Sequence, residues 1–374
     1  MPRYRFDQIA INSTEKRKPT ESDMATYIGL EHMDSHSLTV KRWGSDVPII
    51  GDKLVMRKGD VLLGKRNAYL RRAAIAPFDG LFSAHGMVLK PKTDVVDKDF
   101  FPIFIASDYF FDEAIRISVG SLSPTINWKD LKDVEFNLPT LDEQRKLAKI
   151  LWAIIKTTNS YQEMLEKQDL LIKSQFIEMF GNVKKTICLG DCSSIHSRIG
   201  WQALKKGEHL DNGEYLLITG TDFVNNSIDY SSCKYVSKQR YDMDPKIQLK
   251  DGDILVTKDG TIGKVAIVSD LPKPATLNSG IFVIRPGSQF DKDFIAYIFK
   301  GPMFTDFIEE AKTGSTIKHL NQEKLVKFAI PDVSFKEQKS FSKLSNQIDK
   351  SKFEIEKSLN NLKKIYEKVL RDNF

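Results

Sequence analysis

Asp97-Lys98-Asp99-Phe100 returns letter for letter as Asp291-Lys292-Asp293-Phe294. Outward from that tetrapeptide the chain goes on repeating itself in the same order. Gly120-Ser121 reappears as Gly314-Ser315, Asn127 as Asn321, Leu131 as Leu325, and Glu143-Gln144 as Glu337-Gln338, while Thr140 becomes Ser334. Upstream, Gly59-Asp60-Val61-Leu62 matches Gly252-Asp253-Ile254-Leu255 with one residue of slippage. A period of about 194 residues is that of a whole domain, far beyond the 20–50 residues of solenoid repeats. Two copies of one module imply pseudo-twofold symmetry. Such an object suits a partner with two half-sites, and duplex DNA is the commonest of these.

Each copy has two parts. The first is mixed α/β. Strand-like runs are Tyr27–Leu30, Val61–Leu63 and Met87–Leu89, then Leu216–Thr219, Ile254–Thr257, Val265–Val268 and Gly280–Ile284, punctuated by glycine and proline. A helix is expected after each Asp-Lys-Asp-Phe. The second part is a long helix, announced by Thr140-Leu-Asp-Glu143 and Ser334-Phe-Lys-Glu337. Both read as capping boxes, in which hydroxyl and carboxylate satisfy orphan amides of the first turn. Leu147, Leu151, Ile154, Thr158, Tyr161, Leu165, Gln168, Ile172, Gln175 and Met179 then step by threes and fours, and Phe341, Leu344, Ile348, Ile355, Leu359, Leu362, Tyr366 and Val369 repeat the pattern. Thr158, Gln168 and Gln175 interrupt the first seam with polar groups and are expected to fix its register. Helices of about 40 residues would run roughly 60 Å. A domain of this size does not easily carry the chain back over that distance, so an antiparallel pair is expected, giving a pseudo-twofold dumbbell.

The bulk numbers set wide limits. At 374 residues two or three domains are expected. A net charge of +6 permits nucleic acid without demanding it. Three cysteines, with Cys188 and Cys192 as a C-x3-C lacking a second ligand pair, suggest reduced thiols rather than disulfides or zinc. No apolar stretch is long enough to span a bilayer, so a soluble cytoplasmic protein without membrane contact is expected.

The paired Gly-Asp-Val/Ile-Leu strands, the Gly120–Asn127 and Gly314–Asn321 tracts, and the Pro139…Glu143-Gln144 and Pro331…Glu337-Gln338 helix starts resemble the specificity subunits of Type I restriction–modification systems. The match lies in their order, twice over the full chain, since no single motif is specific. The resemblance implies an α+β fold with two similar target recognition domains, residues 1–139 and 182–333. Spacer helices at 140–181 and 334–374 would form an antiparallel coiled coil. It implies double-stranded DNA as ligand, with an asymmetric bipartite target. It also implies two methyltransferase subunits docked on the helices, and restriction (motor) subunits joining that core. No cofactor, metal or catalytic residue is expected in the chain itself.

Candidate DNA contacts follow from charge and position. Lys65, Arg66, Tyr69, Arg71 and Arg72 form the densest basic cluster with an aromatic inside it. Lysine and arginine attract phosphate, and arginine forks guanine O6 and N7. In the second copy the matching loop holds Lys258, Asp259, Thr261 and Lys264. Hydroxyl-rich basic loops add Ser121 and Ser123, then Lys312, Ser315 and Lys318. Trp201 beside Arg198 is expected to pack rather than stack. Two look-alikes are set aside. Gly59–Arg66 mimics a phosphate loop but places Arg66 where the magnesium-binding hydroxyl belongs. The Pro331–Lys339 tract mimics a metal-dependent nuclease through Asp332 and Glu337, yet its sister tract lacks the aspartate and reads as a cap. A self-contained endonuclease and a coiled-coil scaffold without a DNA role are the alternatives.

Overall fold

A glycine with positive φ opens the central strand of each copy: Gly59 at 92° and Gly252 at 90°. Non-glycine residues reach that backbone region only at a cost, which explains why the Gly-Asp pair recurs. The same hydrogen bonds surround both turns. Gly59 N–H donates to Ala76 and Ala76 N–H to Asp60; Gly252 N–H donates to Val268 and Val268 N–H to Asp253. The computed structural model describes residues 1–200, 203–313 and 319–373. The chain falls into two units, Met1–Glu163 with Glu356 onward, and Met164–Ile355.

In the first unit, β1 (Ala10–Ser13), β2 (Val61–Gly64), β3 (Ala73–Ile75) and β4 (Gly86–Pro91) form an antiparallel sheet in the order β1-β4-β2-β3. Strand β2 is buried along its whole length, as its unbroken apolar run requires. A second four-stranded sheet holds Lys53–Met56 and the parallel pair Tyr27–Ile28 and Gly80–Phe82. The run expected as one strand, Tyr27–Leu30, stops at Ile28. There Gly29 N–H donates to His32 Nδ1 at 3.0 Å and the chain turns into a short 3₁₀ segment. Helix α1 (Phe101–Ala106) follows Asp-Lys-Asp-Phe.

The second unit repeats the plan. Strands β5 (Ser193–Ser197), β6 (Ile254–Thr257), β7 (Val265–Ile267) and β8 (Ile281–Pro286) form the sheet β5-β8-β6-β7. The register is the same as well: Val61 faces Leu89 in one unit, and Ile254 faces Ile284 in the other. Each unit also closes on itself. Arg3–Arg5 pairs antiparallel with Glu135–Asn137, and Thr186–Cys188 with Ala329–Pro331. The two ends of each copy therefore meet where its long helix begins. Helix α2 (Lys292–Lys300) is the counterpart of α1.

The long helices are Leu141–Phe180 and Phe335–Asn373, of 40 and 39 residues. Both expected capping boxes form. Glu143 accepts from the Thr140 amide and hydroxyl at 2.9 and 2.8 Å, and Glu337 from those of Ser334 at 3.0 and 2.6 Å. In the second unit the helices run antiparallel. Gln168 Nε2 donates to Ser351 at 2.8 Å, Lys352 pairs with Asp169, and Phe176 packs on Phe341. The expected polar layer at Gln168 thus has a partner on the other helix, whereas Gln175 bonds Glu178 of its own helix. In the first unit Leu147 and Leu151 share a core with Tyr366, Val369 and Leu370. Among the described residues no helix is long and apolar enough to cross a membrane. The three cysteines are free thiols.

One glutamine welds helix to sheet domain in each unit. Gln144 is fully buried, accepts from Asp97 N–H at 2.8 Å, and donates to Val95 and Pro139 carbonyls. Gln338 accepts from Asp291 N–H at 2.8 Å and donates to Val333. Removing such an amide strands buried backbone groups, at about 1–3 kcal/mol each. Gln144→Ala is expected to cost on the order of 3 kcal/mol. Hydrogen exchange should accelerate in Met1–Glu163 and not in the second unit, and Gln338→Ala should do the reverse.

Candidate nucleic-acid interface

The same backbone scaffold presents a different surface in each unit. Beyond β2, Lys65 N–H donates to His85 and Lys65 O accepts from Ile126 N–H, at 3.2 and 2.9 Å. Beyond β6, Lys258 N–H donates to Gly280 and Lys258 O accepts from Leu320 N–H, both at 2.8 Å. The next residue forms an isolated antiparallel bridge in both: Arg66 with Thr125, Asp259 with His319. Each tip is therefore held from two sides, as a site that must keep its geometry should be.

Lysine is shared by the copies and half-buried in both. Lys258 Nζ lies 3.4 Å from Ser197 Oγ and over the Phe282 ring. Lys65 lines a small cleft of about 140 Å³ with Asn12, Thr14, Lys16 and Asn127. Burial, then the charge of Lys16, lowers the Lys65 ammonium from its ordinary value. His85 is lowered by burial and by Arg66, Lys65 and Lys53. Lys16 lines the same cleft as Lys65, Lys53 lies on the strand paired with that of Lys16, and His85 gives its carbonyl to the Lys65 N–H. Sequence reading missed all three, because they join the cluster only through sheet pairing.

Several of the expected contact residues already have partners within the fold. Arg71, at φ 46°, reaches Asp108 and Asp112 at 2.7 and 2.6 Å. Arg72 donates to the carbonyls of Leu30 and Arg66, and burial lowers its pKa. Ser123 Oγ donates to Asn67 at 2.8 Å and closes the loop. Arg66 and Ser121 are exposed, and Tyr69 is 56% exposed. In the second unit the Asp259 carboxylate meets His319 Nδ1 at 2.6 Å. Thr261 gives its carbonyl to the Thr257 hydroxyl, which in turn accepts from Lys264 N–H. The Thr261 and Lys264 side chains are exposed. Lys312 closes a helix whose side chain there is not described, and Ser315, Lys318 and Trp201 lie outside the described residues. Arg198 is buried and donates to Leu277 and Thr276.

The nuclease look-alike is occupied by structure. Glu337 is the helix cap, and Asp332 pairs with Lys185 at 2.5 Å. Among the described residues no group of three or more His, Cys, Asp or Glu is placed to hold a metal ion.

Residues 14–168 and 183–364 match the family described as Type I restriction modification DNA specificity domain. The chain is 23% identical over 341 residues to the Type I restriction enzyme MjaVIII specificity subunit of Methanocaldococcus jannaschii, covering 80% of this chain and 73% of that one. It is 27% identical over 169 residues to the EcoDI specificity subunit of Escherichia coli, covering 44% and 36%. Its fold is similar to the Type I S subunit from M. genitalium, with a TM-score of 0.68 at 14% identity over 100% of this chain and 96% of that one. A second solved chain, from work on complex assembly and conformational transition of the type I R-M system, gives 0.56 at 18% identity over 100% and 97%.

Two neighbouring arginines should separate by role. Arg71→Ala removes two partly exposed ion pairs and should cost about 1 kcal/mol, read as a lowered unfolding midpoint that high salt partly masks. Arg66→Ala, with no side-chain partner to lose among the described residues, should leave the midpoint unchanged.

Proposed function

The chain belongs to the Type I restriction modification DNA specificity family, and on that premise we propose that residues 1–139 and 182–333 each read one half of a split DNA sequence. It is a specificity subunit: catalysis lies in the partner methyltransferase and restriction subunits. The observation that carries the two-reader proposal is the pair of tips. One framework is built twice with the same backbone bonds, yet it ends in Arg66 in one copy and Asp259 in the other. Equal frames with unequal side chains suit an asymmetric bipartite target.

In this reading Lys65 and Lys258 supply charge toward the DNA backbone, where positive groups give affinity and register rather than sequence information. Arg66 and Tyr69 with Ser121, and Asp259, Thr261 and Lys264, are the exposed groups at the tips. Arg71, Arg72 and Ser123 hold the first loop in shape. Lys312, Ser315 and Lys318 are further candidate contacts of the second unit, named from charge and hydroxyl content alone. The long helices, 140–181 and 334–374, dock two methyltransferase subunits, with restriction subunits joining that core in the cytoplasm. Leu170 and Ile177, one heptad apart on the first helix, are exposed there.

Co-expression with its methyltransferase partner, followed by single-molecule sequencing of methylated adenines, tests the reading. A bipartite motif is expected. Replacing Met1–Leu138 by the equivalent segment of a relative should change one half of that motif and leave the other intact. Changes in both halves at once would contradict the division of labour. Absence of salt-dependent DNA binding would return the chain to a scaffold role.

A further inference from the structure

Asp259 stands where a carboxylate is least expected on a DNA-reading surface. Duplex DNA carries one negative charge per roughly 1.7 Å of its axis. A carboxylate facing it is repelled by phosphate and accepts nothing from most base edges. The exception is a base that offers an amino group into the major groove.

The surroundings of Asp259 suit that exception. Its position equals that of Arg66 in the first unit, one residue past the shared lysine and inside the same isolated bridge. The side chain is 38% exposed. Oδ1 is engaged by His319 Nδ1 at 2.6 Å. Oδ2 has no protein partner among the described residues. The residue beside it is Gly280, where a Cβ would sit 3.6 Å from Oδ2. The counterpart of Gly280 across the repeat is His85, since each accepts from the N–H of its unit's shared lysine. The second tip has thus lost bulk beside the carboxylate and gained an imidazole that fixes one of its oxygens. The result is an oriented acceptor whose second oxygen has no partner among the described residues.

We propose that Asp259 is a specificity-determining residue that accepts a hydrogen bond from the N4 amino group of a cytosine in the half-site read by the second unit, with His319 as the residue that positions it. Adenine also offers an amino group, but its N7 acceptor lies next to it and faces the carboxylate unfavourably. Cytosine N4 has an acceptor, guanine O6, on one side only, whereas adenine's amino group lies between its own N7 and thymine O4. Arg66, in the equivalent place, carries only donors and suits the opposite partner, guanine O6 and N7. The repeat therefore keeps one lysine for the common task and changes sign at the next residue to change the base. This inference rests on the reading of the two units as DNA readers.

The test uses the assembled methyltransferase complex and its methylome. Asp259→Ala should make one C·G position in one half-site degenerate, with discrimination there falling on the order of ten- to a hundredfold. The other half-site should not change. Affinity for random duplex should hold or rise, because a repulsive charge is gone. His319→Ala should weaken discrimination at the same position and at no other. Arg66→Ala should relax a G·C position in the opposite half-site. An unchanged motif with Asp259→Ala, relaxation of an A·T position, or loosening at several positions alike would each overturn the assignment. If the wild-type complex gave no bipartite motif, the two-reader proposal would fail first. A normal wild-type motif with an unaltered variant motif would sink the Asp259 assignment alone.

Discussion

A side-chain amide buried on the second turn of each long helix holds the architecture together. Gln144 and Gln338 reach sideways from their helices to the N–H of Asp97 and Asp291. Those aspartates in turn cap the next segment, accepting from Phe100 and Phe294. The bond joins two elements 47 residues apart in sequence and leaves no freedom in how the helix meets the sheet domain. Neighbouring contacts follow the same plan. Trp152 Nε1 donates to the Asp99 carbonyl in one unit, and Asn346 donates to the Asp293 carboxylate in the other. Because an unpaired buried amide costs free energy comparable to a lost hydrogen bond, the weld is close to all-or-none. It gives each sheet domain a fixed mount on the helix that follows it.

That weld also accounts for which letters repeat. Asp97, Asp291, Gln144 and Gln338 have matched jobs, as do Gly59 and Gly252 in their turns and the Thr140 and Ser334 caps. At the equivalent bridge position just past the shared lysine, one copy carries Arg66 and the other Asp259. Shared backbone bonds around side chains of different charge fit the proposed adaptation of one module to two half-sites.

Much of this was legible in the chain. The repeat predicted two alike α/β parts, and the capping boxes predicted both long helices, because those signals are local and each rests on a few neighbouring residues. The tip loops were harder. Arg71 read as a DNA contact from charge density alone, but its partners Asp108 and Asp112 stand 37 and 41 residues away. Arg72 is used by a carbonyl 42 residues upstream. Lys16 joins Lys65 only once the strands have paired. Charge runs name the residues that attract anions; they do not say which of them the fold has already neutralised. Gln144 and Gln338 stand in the sequence as repeated letters beside the caps, yet their burial belongs to packing that no local pattern shows.

In the proposed function the two tips are separate readers on a shared frame. Photo-crosslinking from an unnatural residue placed at position 66 or 259, in the methyltransferase complex on its own target duplex, measures this directly. Crosslinks from 66 should map to one half-site and those from 259 to the other, each confined to the specified bases. Crosslinks from both positions to the same half-site, or only to the unspecified spacer, would contradict the account.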